Sequence, residues 1–213
     1  MKFNKIDMKN WKRKDTYSLY MDIIPCTYSM CVNIDITSLI KILKKEELKL
    51  FPTFMYGLSK IVNLHKEFRM NYDEDYNLGY YDSVNPSFTV FHEEDESFTS
   101  VWTEYSEDFK EFYKNYNEDM KEYKNKVGES KPQVGKNLFH VSCIPWTSFT
   151  GFNLNLQKGY EYLVPIFTIG KYFEDRDKVL IPLALQVHHG VCDGFHTGRF
   201  LNDLQKWLDN FKI

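Results

Sequence analysis

Hydrophobic residues recur every three or four positions in several segments of the chain. This spacing places them on one face of an α-helix. The pattern predicts a short helix that ends near Lys45, a helix that begins near Pro52 and ends near Phe68, a long helix that begins at Ser106, and a C-terminal helix over residues 195–211.

Alternating or continuously apolar runs between these helices predict β-strands over residues 26–36, 78–82, 88–92, 98–104, 138–143, 148–156, 162–171 and 179–188. The last two runs are almost entirely apolar, so we expect them at the centre of the sheet with both faces covered. Short connections between residues 78 and 104 favour antiparallel pairing there. Because strands and helices are interspersed without a regular βαβ repeat, the pattern predicts an α+β fold in which helices cover a two-layer mixed β-sheet.

Composition narrows the class of protein. A length of 213 residues, with 43% hydrophobic and 27% charged residues, predicts a soluble globular protein of one domain or at most two small ones. The formal net charge of −3 offers no positive field for nucleic acid, so an anionic ligand would need a local cluster of Lys or Arg.

Targeting signals and cysteines point to a cytoplasmic protein. The polar N-terminus lacks the apolar core of a signal peptide. No apolar run reaches the roughly 18 residues of a membrane-spanning helix. The four cysteines are too sparse for a disulfide framework at this length and are typical of a reducing compartment.

Polar and flexible residues crowd between the last predicted strand and the C-terminal helix. Residues 188–196 read His-His-Gly-Val-Cys-Asp-Gly-Phe-His. A purely structural interpretation makes this segment a strand end, a turn and a helix start, with Asp193 as the N-cap. Three His, one Cys and one Asp within nine residues favour chemistry instead.

A metal site is one chemical interpretation, since His, Cys and Asp are common zinc ligands. His188 and His189 are adjacent at the end of a strand, so they point to opposite faces and do not readily share one ion. The chain has no Cys-x-x-Cys pair and no His-Glu-x-x-His helix to supply further ligands. We therefore expect no metal.

Acid/base chemistry is the interpretation that we favour. His189 and Asp193 are separated by three residues across a turn in which Gly190 and Gly194 permit tight bending. A neutral imidazole can take a proton from a substrate hydroxyl when its neighbours fix its orientation. The chain contains no motif for binding a dinucleotide or a nucleoside triphosphate. It also contains no Gly-x-Ser-x-Gly elbow, so a covalent serine mechanism is unsupported.

Residues 188–196 resemble the signature of the chloramphenicol acetyltransferases, which belong to the coenzyme A-dependent acyltransferases. Further similar segments occur in the same order at residues 11–14, 25–29, 67–69, 88–92, 145–146 and 152–155. The resemblance thus covers nearly the whole chain and implies a single domain over residues 1–213. It implies a trimer whose active sites lie at subunit interfaces and which transfers acetyl directly from acetyl-CoA to a hydroxyl of chloramphenicol.

The resemblance also implies roles for individual residues. His189 would remove the hydroxyl proton and Ser142 would support the oxyanion, whereas Asp193 and Arg13 would form a structural ion pair. The positions that match the drug pocket are Tyr20, Ile24, Cys26, Tyr28, Phe98, Phe152, Leu154, Leu156 and Thr168, the last through an ordered water. Those on the cofactor side are Lys49, Lys171 and Tyr172.

The chain departs from the family pattern at a few positions. Gly190 stands where the family usually has Ala, Leu19 replaces a common Phe, and His140 replaces an Asn. The loop around Lys131 does not align with the family at a position where other members have a Phe. These differences leave the acceptor range open. The alternatives are an acyltransferase with another hydroxyl or thiol acceptor, and a non-catalytic metal- or ligand-binding protein.

Overall fold

The computed structural model describes residues 2–156 and 161–213. Within these residues it contains five α-helices, which are α1 (Lys14–Ser18), α2 (Thr37–Lys45), α3 (Leu50–Leu64), α4 (Phe109–Tyr123) and α5 (Gly194–Asp209). A π-helical turn over Leu19–Ile23 continues α1, and a 3-10 turn over Lys66–Arg69 follows α3. No helix of this described part is both long and apolar enough to cross a membrane.

In the described part of the chain, ten strands form two sheets. They are β1 (Phe3–Lys5), β2 (Thr27–Asp35), β3 (Met70–Tyr72), β4 (Leu78–Tyr81), β5 (Asn85–His92), β6 (Ser97–Trp102), β7 (Leu138–Ile144), β8 (Ile166–Gly170), β9 (Phe173–Asp175) and β10 (Lys178–His188). The small sheet has the antiparallel order β1-β4-β3. The large sheet has the order β2-β10-β8-β7-β5-β6, with β9 paired to β10.

The large sheet is mixed. Strand β7 pairs in parallel with both β5 and β8, whereas β10 pairs antiparallel with β2 and β8. Both β8 and β10 lie inside the sheet, which confirms the position expected from their apolar runs. The α+β class and the mixed sheet are likewise confirmed.

Side chains alternate between two faces of the large sheet because successive residues of a strand point to opposite sides. Ile181, Leu183, Leu185 and Val187 of β10 join a buried core with residues of the helices; we call this side the helix face. The other side, which we call the open face, carries Gln186 and its neighbours on the adjacent strands.

Helix α3 is the central helix of the core. Nearly all of its side chains from Pro52 to Val62 are buried, because it packs against α4, α5 and the sheet. Gly57 permits the contact with α5, since a Cβ at this position would lie 2.5 Å from the ring of Trp207. Phe51 completes the packing by contacting Phe88 of β5.

The structure corrects several boundaries. Residues 148–156 are not a strand; their backbone bonds instead to side chains of the open face, so the alternating pattern reflects contact with a surface. Helix α3 ends at Leu64, which is exposed, instead of near Phe68. Strand β4 belongs to the small sheet and does not pair with β5. The short strands β1, β3 and β9 were not predicted.

Candidate active site in two separated halves

His189 lies in the turn that follows β10. Its backbone N–H donates to the carbonyl of Cys26 at 3.1 Å. Its own carbonyl accepts a hydrogen bond from Nη2 of Arg13 at 2.9 Å, and Nε of Arg13 donates to the carbonyl of Gly190 at 2.9 Å. The backbone that carries the imidazole is therefore fixed on both sides.

Two tyrosines hold the His189 ring. Tyr20, from the π-helical turn, stacks on it with ring centroids 3.8 Å apart and planes 10° apart. Tyr28 meets it edge-on at 5.2 Å. Burial raises the pKa of Tyr28 to about 12, so its hydroxyl stays neutral beside the imidazole. Nδ1 of His189 is buried without a hydrogen-bond partner among the described residues, although the residue as a whole is partly exposed.

The expected ion pair between Arg13 and Asp193 is present. Nη1 of Arg13 lies 2.6 Å from Oδ2 of Asp193. Asp193 is also the N-cap of α5, where its side chain accepts from the N–H of Phe195 at 3.1 Å. Partial burial raises the pKa of Asp193. The hydrogen bond and charge of Arg13, together with the interaction with His196, lower this pKa by more, so it lies below its usual value.

A second layer of charge surrounds this pair, and sequence reasoning missed it. Nδ1 of His196 accepts from the backbone N–H of Asp193 at 3.1 Å and completes a capping box. Glu67 lies beyond His196 and pairs with Arg199 at 3.0 Å. The signal for His196 was its position three residues after an N-cap, although a histidine is not the usual residue there.

Ser142 occupies a different part of the sheet. It lies on the open face of β7 and pairs in register with Thr168 of β8, which is buried. Ser142 lines a cavity of about 410 Å³ together with Leu154, Leu156 and His140. Lys171 and Tyr172 follow the end of β8 and are exposed. Lys49 is also exposed and is the N-cap of α3.

One chain does not bring His189 and Ser142 together. Ser142 is level with Ala184 of β10, two strands away, through the shared partner Thr168. His188 lies four residues beyond Ala184, which is roughly 14 Å along the strand, and the two strand spacings add roughly 10 Å across. The resulting separation of roughly 17 Å exceeds the reach of either side chain.

Most of the predicted pocket residues lie near His189 or near Ser142. Tyr20, Cys26 and Tyr28 contact His189, and Ile24 lies exposed beside them in sequence. Thr168 pairs with Ser142, and Leu154 and Leu156 line both the cavity of Ser142 and a second cavity that contains Tyr28. Phe152 bonds through its backbone to Cys31 of β2. Phe98 is 66% exposed on the edge strand β6.

The positions that depart from the family pattern also have defined surroundings. Burial lowers the pKa of His140, so its ring is neutral at pH 7 where it lines the cavity. Leu19 begins the π-helical turn. A Cβ at Gly190 would lie 3.0 Å from Nδ1 of His188, so an alanine there would require that ring to shift slightly. Lys131 bonds to Asp119 of α4 at 2.5 Å and to the carbonyl of Trp102 at 2.9 Å.

Comparison with known proteins decides the family. The profile of the family "Chloramphenicol acetyltransferase" matches residues 1–205. This chain belongs to that family. The resemblance inferred from the motifs is therefore confirmed, and so is the class of enzyme, an acyltransferase.

Chloramphenicol acetyltransferases from several bacteria align over almost the full length of this chain. One from Campylobacter coli is 51% identical and covers 98% of this chain and 100% of the relative. One from Clostridium perfringens is 50% identical, and the alignment covers 100% of this chain and 97% of the relative. One from Escherichia coli is 42% identical, and the alignment covers 99% of this chain and 95% of the relative.

Solved structures share the fold. A chloramphenicol acetyltransferase structure superimposes with a TM-score of 0.85 at 21% identity and covers 97% of this chain and 100% of its own. A dihydrolipoamide acetyltransferase from Azotobacter vinelandii superimposes with a TM-score of 0.68 at 16% identity, and the match covers 92% of this chain and 86% of that structure. Among the described residues, no group of three or more His, Cys, Asp or Glu side chains could hold a metal ion.

Proposed function

We propose that this protein transfers the acetyl group of acetyl-CoA to a hydroxyl of chloramphenicol and thereby confers resistance to that antibiotic. Relatives of this name align end to end with the chain at about half identity, which supports the same substrates. Residues 1–213 would act as one catalytic domain. Four free cysteines and the need for acetyl-CoA support a cytoplasmic location.

His189 is proposed as the general base, and the geometry of its ring is the observation that carries the proposal. Nδ1 is buried, so only Nε2 can meet a substrate. Nε2 accepts a proton only if the neutral ring carries its hydrogen on Nδ1. The base would take the hydroxyl proton while the oxygen attacks the thioester carbonyl. As the C–S bond breaks, the imidazolium would return the proton to the leaving thiolate.

Ser142 is proposed to donate its hydroxyl hydrogen to the tetrahedral oxyanion, an interaction of typically about 3–4 kcal/mol in enzymes. Since one chain holds Ser142 far from His189, we infer that the site is completed between neighbouring copies of a homotrimer. Exposed apolar side chains near the open face support such an association, notably Phe91, Phe98 and Trp146.

The acceptor would lie between the two halves. We propose that Tyr20, Ile24, Cys26 and Tyr28 of one copy face a second group of pocket residues on the next copy, namely Phe98, Phe152, Leu154, Leu156 and Thr168. Arg13 and Asp193 would hold the turn and touch no substrate. Lys49 and Lys171 supply exposed positive charge for the coenzyme A phosphates, with Tyr172 beside Lys171, and no metal is needed for this chemistry.

Thiol release from acetyl-CoA tests this function. The purified protein is mixed with acetyl-CoA and chloramphenicol, and in parallel with other alcohols and with dihydrolipoamide as a thiol acceptor. We expect release with chloramphenicol to exceed release with each other acceptor by at least a hundredfold in kcat/KM, which is about 2.7 kcal/mol. Faster release with another acceptor would keep the acyltransfer chemistry but reject chloramphenicol as the substrate.

A further inference from the structure

Two side chains of the open face hold the segment over residues 152–154 like a partner strand. The N–H of Leu154 donates to Oε1 of Gln186 at 2.7 Å, and Nε2 of Gln186 donates to the carbonyl of Leu154 at 3.0 Å. Two residues earlier, the N–H of Phe152 donates to Sγ of Cys31 at 3.2 Å, and that thiol lies 3.6 Å from the carbonyl of Phe152. Each side chain thus binds both polar groups of one residue.

The sheet places these two side chains at the right spacing. Cys31 pairs with Ala184, and Gln186 lies two residues further along β10, so they are diagonal neighbours on adjacent strands. Diagonal neighbours on one face of a sheet lie about 7–8 Å apart, close to the advance of two residues of extended chain. The segment therefore crosses β2 and β10 without joining either strand.

This attachment fixes the walls of two cavities. Leu154 and Leu156 line the cavity of about 410 Å³ that contains Ser142, and they also line one of about 430 Å³ that contains Tyr28 and Gln186. A shift of the segment would change the shape of both cavities at once. Gln186 itself is buried, and besides these two bonds its Oε1 accepts a hydrogen bond from Oγ of Ser29 at 3.4 Å.

We propose that Gln186, supported by Cys31, is a positioning residue that sets the acceptor-binding wall formed by Leu154 and Leu156. This inference rests on the proposed function, because it assigns that wall to the acceptor. Loss of the amide would leave both polar groups of Leu154 without their partner, so the segment would move to find water. Binding of the acceptor would weaken, whereas acetyl-CoA would be little affected.

The test compares Gln186→Met with a matched control. Gln205 of α5 makes the same double contact, since its Oε1 accepts from the N–H of Asp35 at 3.0 Å and its Nε2 donates to the carbonyl of Asp35 at 2.8 Å. This contact does not involve the 152–156 segment. We expect Gln186→Met to raise KM for chloramphenicol about tenfold and KM for acetyl-CoA less than twofold, with kcat reduced no more than about threefold.

Gln205→Met should lose a similar amount of stability and leave both KM values unchanged. If the two variants give the same KM for chloramphenicol, Gln186 is only a structural residue and the proposal is overturned. If Gln186→Met does not fold, the variants Cys31→Ala and Cys31→Ser provide the test. Cys31→Ala should raise KM for chloramphenicol, whereas Cys31→Ser should restore the parental KM. Equal KM values for these two variants would overturn the proposal.

Hydrogen exchange separates this inference from the proposed function. In Gln186→Met the amides of Phe152 and Leu154 should exchange at least tenfold faster than in the parent protein, and in Gln205→Met they should not. This readout needs no substrate, so it holds even if the parent protein fails to acetylate chloramphenicol. Unchanged exchange in Gln186→Met would overturn the positioning role whatever the acceptor is.

Discussion

At the scale of single residues, the site is organised around the main chain of one turn. Arg13 donates to the carbonyls of His189 and Gly190 and to the carboxylate of Asp193. One guanidinium therefore ties the proposed base, His189, to the start of α5, and its planar fork suits three acceptors held at fixed angles. The imidazole takes its orientation from this backbone and from the stacked ring of Tyr20.

We expect His189→Ala to lose nearly all acetyl transfer, because general base catalysis typically contributes about a hundredfold to ten-thousandfold. Steady-state kcat measures the loss, and circular dichroism checks the fold. His65→Asn is the control, since His65 pairs with Asp203 between α3 and α5 and should keep parental turnover. A His189→Ala variant with more than about a tenth of parental kcat would reject His189 as the base.

Asp193→Asn should lower both activity and stability. Asparagine caps a helix about as well as aspartate, so this variant loses only the ion pair, and we expect about 1–2 kcal/mol because the carboxylate is partly exposed. Asp193→Ala should lose about 1 kcal/mol more with the cap. Urea unfolding measures both variants. Equal stability of the parent and Asp193→Asn would contradict the ion pair's role.

The same pair predicts a dependence on pH. The pKa of Asp193 is lowered in the folded protein, so its stabilisation is present above the ordinary value of 3.8 and is lost as the pH falls through the folded pKa. The difference in unfolding free energy between the parent and Asp193→Asn should therefore be full at pH 7 and shrink below pH 3.8. A difference that grows on acidification would contradict this assignment.

The residues that the sequence could identify share one property. His189 and Asp193 lie within one short segment, where clustering of titratable groups is visible without a structure. Glu67 and Arg13 lie far from this segment in the chain, and only the packing of the 3-10 turn and of α1 brings them to it. Gln186 lies three residues before His189, but its contacts depend on the pairing of β2 with β10. Resemblance supplied Arg13; nothing in the periodicity indicated the other two.

At the scale of secondary-structure elements, α3 and α5 approach closely at Gly57. A Cβ there would meet the ring of Trp207, which Tyr56 and Phe211 hold in place. We expect Gly57→Ala to destabilise the protein by about 1–2 kcal/mol, since overpacking outweighs the gain in helix propensity. Gly198→Ala in α5 meets nothing within 4 Å and should stabilise it by up to about 1 kcal/mol. Urea unfolding of both variants checks the opposite signs.

Lys131 attaches the loop that follows α4. Its ammonium group bonds to Asp119 and to the carbonyl of Trp102, and it lies 3.9 Å from the centre of the Trp102 ring. Because this pair is largely buried, Lys131→Met should cost about 1–3 kcal/mol in urea unfolding.

The control for Lys131 is Lys114→Met, which removes an exposed pair with Glu118 at 3.7 Å and should cost under about 0.5 kcal/mol. Equal losses in the two variants would show that Lys131 contributes no more than a surface charge.

Hydrophobic patterning predicted the long elements and missed the short ones. Helices α4 and α5 and strands β2, β7 and β10 follow their stripes, because each buries one whole face or both. Strands β1, β3 and β9 have three residues each, too few to establish a period. The segment over residues 148–156 alternates like a strand but pairs with side chains, a distinction that periodicity does not contain.

At the scale of the whole molecule, the separation of His189 from Ser142 makes the proposed sharing of sites between copies testable. We expect His189→Ala and Ser142→Ala each to be inactive alone. If the two variants are unfolded and refolded together in equal amounts, each interface has an intact His189 and an intact Ser142 in about one case in four, so about a quarter of parental activity should return. Mixing the two variants without refolding is the control, and no recovery after refolding would place the site within one chain.

The distance between the two halves also bears on inheritance. A cell that makes the intact protein and, in equal amount, a copy damaged at both His189 and Ser142 would assemble mixed copies of the proposed homotrimer. Only about one interface in four would then combine two sound halves, so the cell would lose about three quarters of its detoxifying capacity instead of half. A defective allele of this enzyme would behave as a dominant inhibitor of the sound one.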